Sequence, residues 1–263
     1  MNLEPERGWW RTLFDEVYLK TDARSVCDRQ ITSKEIDLVC RLLRIEPGHR
    51  ILDLCGGHGR HSLELFSRGI SDCTLVDYSD YLLSRARISA SQSGICINCV
   101  RADARNTGIR SGRFDRVLIL GNSLGYFSRK NEDLAILSET HRLLRPGGWL
   151  LVDVADGEAV RKKITLSSWH EVEEDLVVCR EREIIGDRVH AREMVLSKKN
   201  GLVRDRNYAI RVYDTNSLTA LVENAGYADV KCHTDFTFHK TKGDYGFMNH
   251  RIFAVGRRPG LGR

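Results

Sequence analysis

The sequence predicts an α/β protein: a doubly wound, mostly parallel seven-stranded sheet, with a small antiparallel β cap inserted between strands five and six. Three observations predict it. Short apolar runs alternate with helical stretches from Ser33 to Val154, and strands separated by helices need crossover connections, which produce a parallel sheet covered on both faces. A glycine cluster, Gly56-Gly57-His58-Gly59, follows the first of these runs. After Asp156 the pattern becomes strand-like, punctuated by the hairpin turn signals Gly186-Asp187 and Asn200-Gly201.

From Ser33 to Arg44, Ile36, Val39, Cys40 and Leu43 recur at three- and four-residue spacings, the mark of an amphipathic helix that Pro47-Gly48 closes. Arg50 to Leu54 reads as a buried strand, and His61 to Arg68 as the helix after the glycine cluster. The alternation continues with strand Cys73 to Val76, helix Asp80 to Ser91, strand Ile97 to Val100, strand Phe114 to Leu120, helix Glu132 to Leu144 and strand Trp149 to Val154. Beyond it, Trp169 to Arg182, Arg188 to Leu196 and Val203 to Tyr213 are three predicted strands of the insertion. Helix Ser217 to Ala225 and strands near Ala228 to Lys231 and Arg251 to Val255 return the chain to the main sheet. The expected units are a helical segment at 1–30, a core at 31–156 and 214–256, a cap at 157–213 and a disordered tail at 257–263.

A chain of 263 residues with 41% apolar and 29% charged residues is that of an ordinary globular protein. The charged start, Met1 to Arg7, carries no apolar stretch, and the longest apolar runs are strand-sized, so a cytoplasmic protein without a membrane span is expected. Eight scattered cysteines read as reduced thiols. Cys96 and Cys99 have metal-ligand spacing but no second pair to complete a site, and no metal is expected. The net charge of +5 falls partly in the tail and forms no dense basic stripe, which argues against a nucleic-acid partner.

A glycine-rich turn between a first strand and its helix lets a ligand approach the backbone and presents the amides of the helix start. On spacing alone that turn serves any nucleotide or merely packs a helix. Asp77, about twenty residues further on, stands where a carboxylate holds ribose hydroxyls. Ser62 stands three residues after Gly59, where the dinucleotide fingerprint has Gly or Ala, so a nucleotide-dependent dehydrogenase loses support.

Over residues 50 to 154 the sequence resembles the class I, Rossmann-like S-adenosylmethionine-dependent methyltransferases, of the small-molecule type. Ile51-Leu52-Asp53-Leu54-Cys55-Gly56-Gly57-His58-Gly59 resembles their first motif, with Cys55 in place of its first glycine. Val76-Asp77-Tyr78-Ser79 resembles the second, Ala102-Asp103-Ala104 the third, Phe114 to Phe127 the fourth strand and its loop, and Leu143 to Leu150 the turn into the fifth strand. The resemblance implies S-adenosylmethionine as cofactor and S-adenosylhomocysteine as product. It implies cofactor contacts from Tyr18, Asp53, Cys55, Gly56, Gly57, Gly59, Asp77, Tyr78, Asp103, Ala104, Gly121 and Asn122, with Asp77 on the ribose, Tyr78 against adenine and Asp103 at the adenine amino group. Blander roles stay open: Asp53 as a holder of the loop, Asp103 as a helix cap. By the same resemblance the aromatic segment Trp9 to Tyr18 covers the cofactor as a lid, although its spacing also fits a plain docked helix.

The loop Asn122-Ser123-Leu124-Gly125-Tyr126-Phe127 lacks the Pro-Pro-Tyr type of signature of amino-directed base methyltransferases, and no Pro-Cys occurs in the chain. It looks like the loop of small-molecule methyltransferases with a cap, which act on a nitrogen, oxygen or carbon atom. Tyr126, His170, Arg211 and Tyr213 are weak catalytic candidates. Tyr208, Arg211 and Tyr213 are read as projecting to one face of their strand, with Arg211 offered to an acidic group of the acceptor or equally to solvent or a dimer contact. His170, His190, His233, His239 and His250 are candidate bases, and His58 and His61 lie beside the turn. The alternatives are an RNA methyltransferase and a non-catalytic module that binds the cofactor or its product. The open edges of the cap make pairing with a second copy, a homodimer, one way to cover them.

Overall fold

The structure, a computed structural model, describes residues 3–22, 26–236, 238 and 250–260. Two short helices, α1 (Trp10–Leu13) and α2 (Glu16–Thr21), precede α3 (Arg29–Leu43). The core then runs β1 (Ile51–Leu54), α4 (Arg60–Ser67), β2 (Cys73–Asp77), α5 (Asp80–Gln92), β3 (Asn98–Arg101), β4 (Phe114–Ile119), α6 (Lys130–Leu143) and β5 (Leu144–Ala155). After α7 (Gly157–Lys163) come the cap strands β6 (Ser167–Val172), β7 (Leu176–Ile185), β8 (Arg188–Ser197) and β9 (Gly201–Arg211). The core closes with α8 (Thr215–Asn224), β10 (Ala228–Phe236) and β11 (Arg251–Arg257).

The main sheet has the strand order β10-β11-β5-β4-β1-β2-β3. Only β11 runs against its neighbours. The order reverses at β1, between β4 and β2, so the switch point where such sheets bind ligands lies at the carboxyl end of β1. Alternate residues of the strands feed two layers. Leu52, Leu54, Val117, Ile119 and Val152 pack with Ile136, Leu137, Leu218 and Val222 on one face. Ile51, Leu118, Leu151 and Phe253 pack with Ile36, Val39 and Leu65 on the other.

A buried charge network ties this second layer together. Arg251 donates from Nε to Asp153 Oδ1 at 2.7 Å and through its two Nη atoms to Asp153 and Glu35. Glu35 also accepts from Arg60 and lies 2.9 Å from His61 Nε2. Glu35, Asp153 and Arg251 are all within 2% of full burial. Such groups are tolerated inside only when paired.

Two sequence expectations need correction. The insertion has four strands, because Trp169 to Arg182 is broken by a turn at Glu173, which takes a left-handed φ of 52°. The tail is not disordered at its start: Arg257 completes β11, and Arg258 donates through Nη1 to the carbonyls of His141 and Arg142 at 2.9 and 3.1 Å. Arginine near a helix C-terminus meets carbonyls that have no intrahelical partner. The cap is a separate sheet, β6-β7-β8-β9. Its two ends are joined where Asp156 bridges Tyr213 and the Gly157 amide donates to the Tyr213 carbonyl at 2.8 Å. Among the described residues no helix is long and apolar enough to cross a membrane.

Candidate active site

β1 ends in a turn that glycine makes possible. A Cβ on Gly56 would lie 2.3 Å from Leu75 Cδ1 and 2.6 Å from Asp53 Cγ, so only a bare backbone fits there. Gly59 has a φ of 77° and starts α4, where a Cβ would press on Ala86 and Leu75. Cys55 takes a φ of 60°; it occupies a left-handed position that glycine fills more cheaply. The turn, the ends of β2 and β4, the helices α1 and α2 and the inner face of the cap line a cavity of about 220 Å³.

Asp77 fixes one end. Its Oδ2 accepts from the Gly57 amide and its Oδ1 from the Ser79 amide, each at 2.8 Å, and burial raises its carboxyl above the usual range. Each oxygen keeps capacity for a second donor, which is what a ribose hydroxyl pair requires. Beside it Trp10 stands edge-on to Tyr78 and Phe127, with ring centroids 4.8 and 5.1 Å away. Asp103 and Ala104 complete this aromatic slot. Burial pushes the Asp103 carboxyl up, but bonds from the Arg105 side chain and amide outweigh it and hold the group below its usual range.

Past the turn, the Gly121 amide donates to Asp153 Oδ2 at 2.8 Å, and Asn122, at a φ of 60°, accepts from the Ala155 amide at 2.9 Å. A Cβ at Gly121 would meet nothing within 4 Å. Tyr18 and Tyr126 face this region, and burial pushes both hydroxyls up in pKa. His58 and His61 also reach the wall; burial lowers each to about 4, so both are neutral at pH 7.

Of the residues implied as cofactor contacts, Tyr18, Cys55, Gly56, Gly57, Asp77, Tyr78, Asp103, Ala104, Gly121 and Asn122 line the cavity, whereas Asp53 and Gly59 do not. Asp53 is fully buried behind the turn and accepts from Ser62 Oγ at 2.7 Å; burial pushes its carboxyl up to about 6. Of the catalytic candidates only Tyr126 reaches the wall. His170 lies on the edge strand β6. His190, His233 and His250 are off the wall too, and His239 lies outside the described residues.

Arg211 and Tyr213 are turned away by register. Tyr208 and Ile210 lie two apart on β9 and line the cavity, so Arg211, three residues from Tyr208, points to the opposite face. Arg211 and the Tyr213 hydroxyl both donate to buried Asp133, the hydroxyl at 2.6 Å, and Arg211 also donates to the Ser128 carbonyl at 2.9 Å. They fasten the cap to the loop before α6. Arg180, Arg182 and Glu193, which sequence reasoning missed, stand on the cap's inner face in their place. No local motif marks them; the only signal was strand alternation, and it needed the register.

A nucleotide-type cofactor slot at the switch point of a doubly wound sheet defines the class of protein. A methyltransferase-domain family matches residues 51–148. The chain is 28% identical over 194 residues to YqeM of Bacillus subtilis (strain 168), named as a methyltransferase, covering 72% of this chain and 77% of that one. It is 25% identical over 226 residues to a glycine/sarcosine N-methyltransferase of Aphanothece halophytica, covering 81% and 80%. An S-adenosylmethionine-dependent methyltransferase from Clostridium acetobutylicum ATCC 824 shares the fold, with a TM-score of 0.73 at 16% identity over 93% of this chain and 97% of that one. Residues 51–148 thus match a methyltransferase domain, and the chain has the class I, Rossmann-like fold of S-adenosylmethionine-dependent methyltransferases.

Proposed function

We propose that the enzyme methylates a nucleophilic atom of a small molecule held between the glycine turn and the cap. The observation that carries this reading is the continuity of one cavity from Asp77 to Tyr208, cofactor residues at one end and cap residues at the other. When bound, S-adenosylmethionine supplies an electrophilic methyl whose sulfonium charge disperses during in-line displacement.

The chain's part is alignment and exclusion of water. Asp77 takes the ribose hydroxyls, Tyr78, Trp10 and Phe127 the adenine faces, and Gly57, Gly121 and Tyr18 the amino-acid end. Leu13, Phe14 and Ile210 dry the junction. The Tyr126 hydroxyl, kept protonated by burial, positions the acceptor as a hydrogen-bond partner rather than removing its proton. The glycine/sarcosine relative acts on an amine, which makes nitrogen the first acceptor atom to try.

The test is calorimetric titration with S-adenosylhomocysteine and NAD, followed by methyl transfer to a panel of small amines, phenols and carboxylates. S-adenosylhomocysteine is expected to bind and NAD not to; Asp77→Ala is expected to weaken binding about tenfold or more, as loss of charge-assisted bonds does. Turnover only on RNA, with steep salt dependence, would overturn the small-molecule reading.

A further inference from the structure

Asp103 and Arg105 stand two residues apart in the loop that follows β3, where the Asn106 amide donates to the Asp103 carbonyl at 3.0 Å and tightens the turn. The Arg105 amide donates to Asp103 Oδ1 at 2.9 Å, the local turn that an aspartate makes with the backbone two residues on. The Arg105 side chain then folds back on the same carboxylate, Nε to Oδ1 at 3.0 Å and Nη2 to Oδ2 at 2.6 Å, two parallel bonds from one planar group. Its Nη1 donates to Glu132 Oε1 at 2.6 Å, in the first turn of α6. The guanidinium carbon lies 4.3 Å from the Phe127 ring centroid and 5.6 Å from that of Trp10, within reach of the attraction between a cation and an aromatic face. Arg105 is not on the cavity wall, but Asp103, Phe127 and Trp10, which it holds, are.

Each oxygen of a carboxylate can accept two bonds. Asp103 Oδ1 already has two, from the Arg105 amide and Nε, and Oδ2 has one among the described residues, from Nη2. A single acceptor position is left on this residue of the aromatic slot. We infer that Arg105 is a positioning residue for the cofactor: by locking the Asp103 carboxylate and the Phe127 ring it leaves that one position for the exocyclic amino group of adenine, so that the slot takes a purine bearing an amino group and refuses one bearing a carbonyl there. The side chains of the pair are 27% and 29% exposed, and ion pairs open to solvent contribute little to stability. The value of the fork is orientation, which a lysine in its place would not supply. The inference rests on the cofactor reading above and deepens it at the adenine end.

The test titrates the full-length protein calorimetrically with S-adenosylhomocysteine and with S-inosylhomocysteine, its counterpart with a carbonyl in place of the amino group. The unaltered protein is expected to bind the first about tenfold more tightly, the scale of one charge-assisted bond. Arg105→Gln should reduce that ratio to about threefold or less, and Arg105→Lys, which keeps the charge without the fork, should fall between. A merely structural role would weaken both ligands alike and leave the ratio unchanged. A ratio that survives in Arg105→Gln or in Asp103→Ala therefore overturns the inference, as does a ratio near one in the unaltered protein. Because Arg105 acts through Asp103, adding Arg105→Gln to Asp103→Ala should lower the ratio no further, and a further fall overturns it. Should Arg105→Gln fail to fold, an undiminished ratio in Arg105→Lys overturns it. Failure of the unaltered protein to bind S-adenosylhomocysteine overturns the cofactor reading itself, an outcome distinct from binding without discrimination.

Discussion

Asp53 and Asp77 close the same turn from opposite sides, and their partners give them different work. Asp77 holds two backbone amides at the cavity wall. Asp53 is sealed behind Gly56 with the Ser62 hydroxyl bonded to its Oδ2, and its Oδ1 has no hydrogen-bond partner among the described residues. Burial therefore raises the Asp53 carboxyl to about 6 from an ordinary 3.8. A carboxyl whose folded pKa exceeds its unfolded one opposes folding once ionised: its stabilising contribution is complete below pH 3.8 and is lost as pH rises through about 6. Asp53→Asn, which removes the charge and keeps the shape, is expected to stabilise the protein at pH 7.5 by up to about 3 kcal/mol, two pKa units at about 1.4 kcal/mol each. The gain should vanish near pH 4. Thermal unfolding across that range checks it, and a gain independent of pH would refute the assignment. The first motif was legible in the sequence because its residues are local, each within a few positions of the strand end. Its division into Asp77, which lines the cavity, and Asp53, which faces the core, was not, because that depends on where Ser62 and Leu75 pack.

Strands and lid helices were legible as elements and less so as surfaces. Periodicity located β1 to β5 and the helices between them, since each must bury a face whatever the rest of the chain does. It placed Tyr208, Arg211 and Tyr213 on one face, although a period of two allows only the last two to share it. The inward set is Arg180, Arg182, Glu193, Tyr208 and Ile210, fixed by pairings between strands, such as Arg180 with Glu193 and Ala191 with Tyr208, that no local window of sequence contains. The lid is held to the same sheet by Asp15 with Arg204 and Asp22 with Arg180. On the far face of β9, Asp133 neutralises Arg211 in a buried setting. Asp133→Ala should cost about 3 kcal/mol in urea unfolding, because it takes from Arg211 its buried carboxylate, leaving only the more exposed Asp187, and leaves the Tyr213 hydroxyl without its acceptor. Tyr213→Phe should cost about 1 kcal/mol. A negligible loss in Asp133→Ala would mean that solvent reaches this junction.

Across the whole molecule, buried charge pairs join distant segments alongside the apolar layers. Arg251 in the last strand reaches Asp153 in β5 and Glu35 in α3. Arg258 caps the carbonyl end of α6. Removing residues 259–263 should therefore leave unfolding free energy within about 0.5 kcal/mol of the original, whereas Arg258→Ala should lower it by about 1–3 kcal/mol. Equal effects of the two changes would return Arg258 to the tail. The bridge from Asp156 to Tyr213 has a different consequence. It brings both ends of the cap side by side at the rim of the core, so the cap is in effect a cassette on a closed stalk. A segment exchanged between those two points has still to answer Asp133 of the core and Asp15 and Asp22 of the N-terminal helices, the charges that the present cap neutralises. Under the proposed function, a laboratory chimera cut at the same two points and keeping those three pairings is expected to carry the acceptor preference of the inserted segment with it.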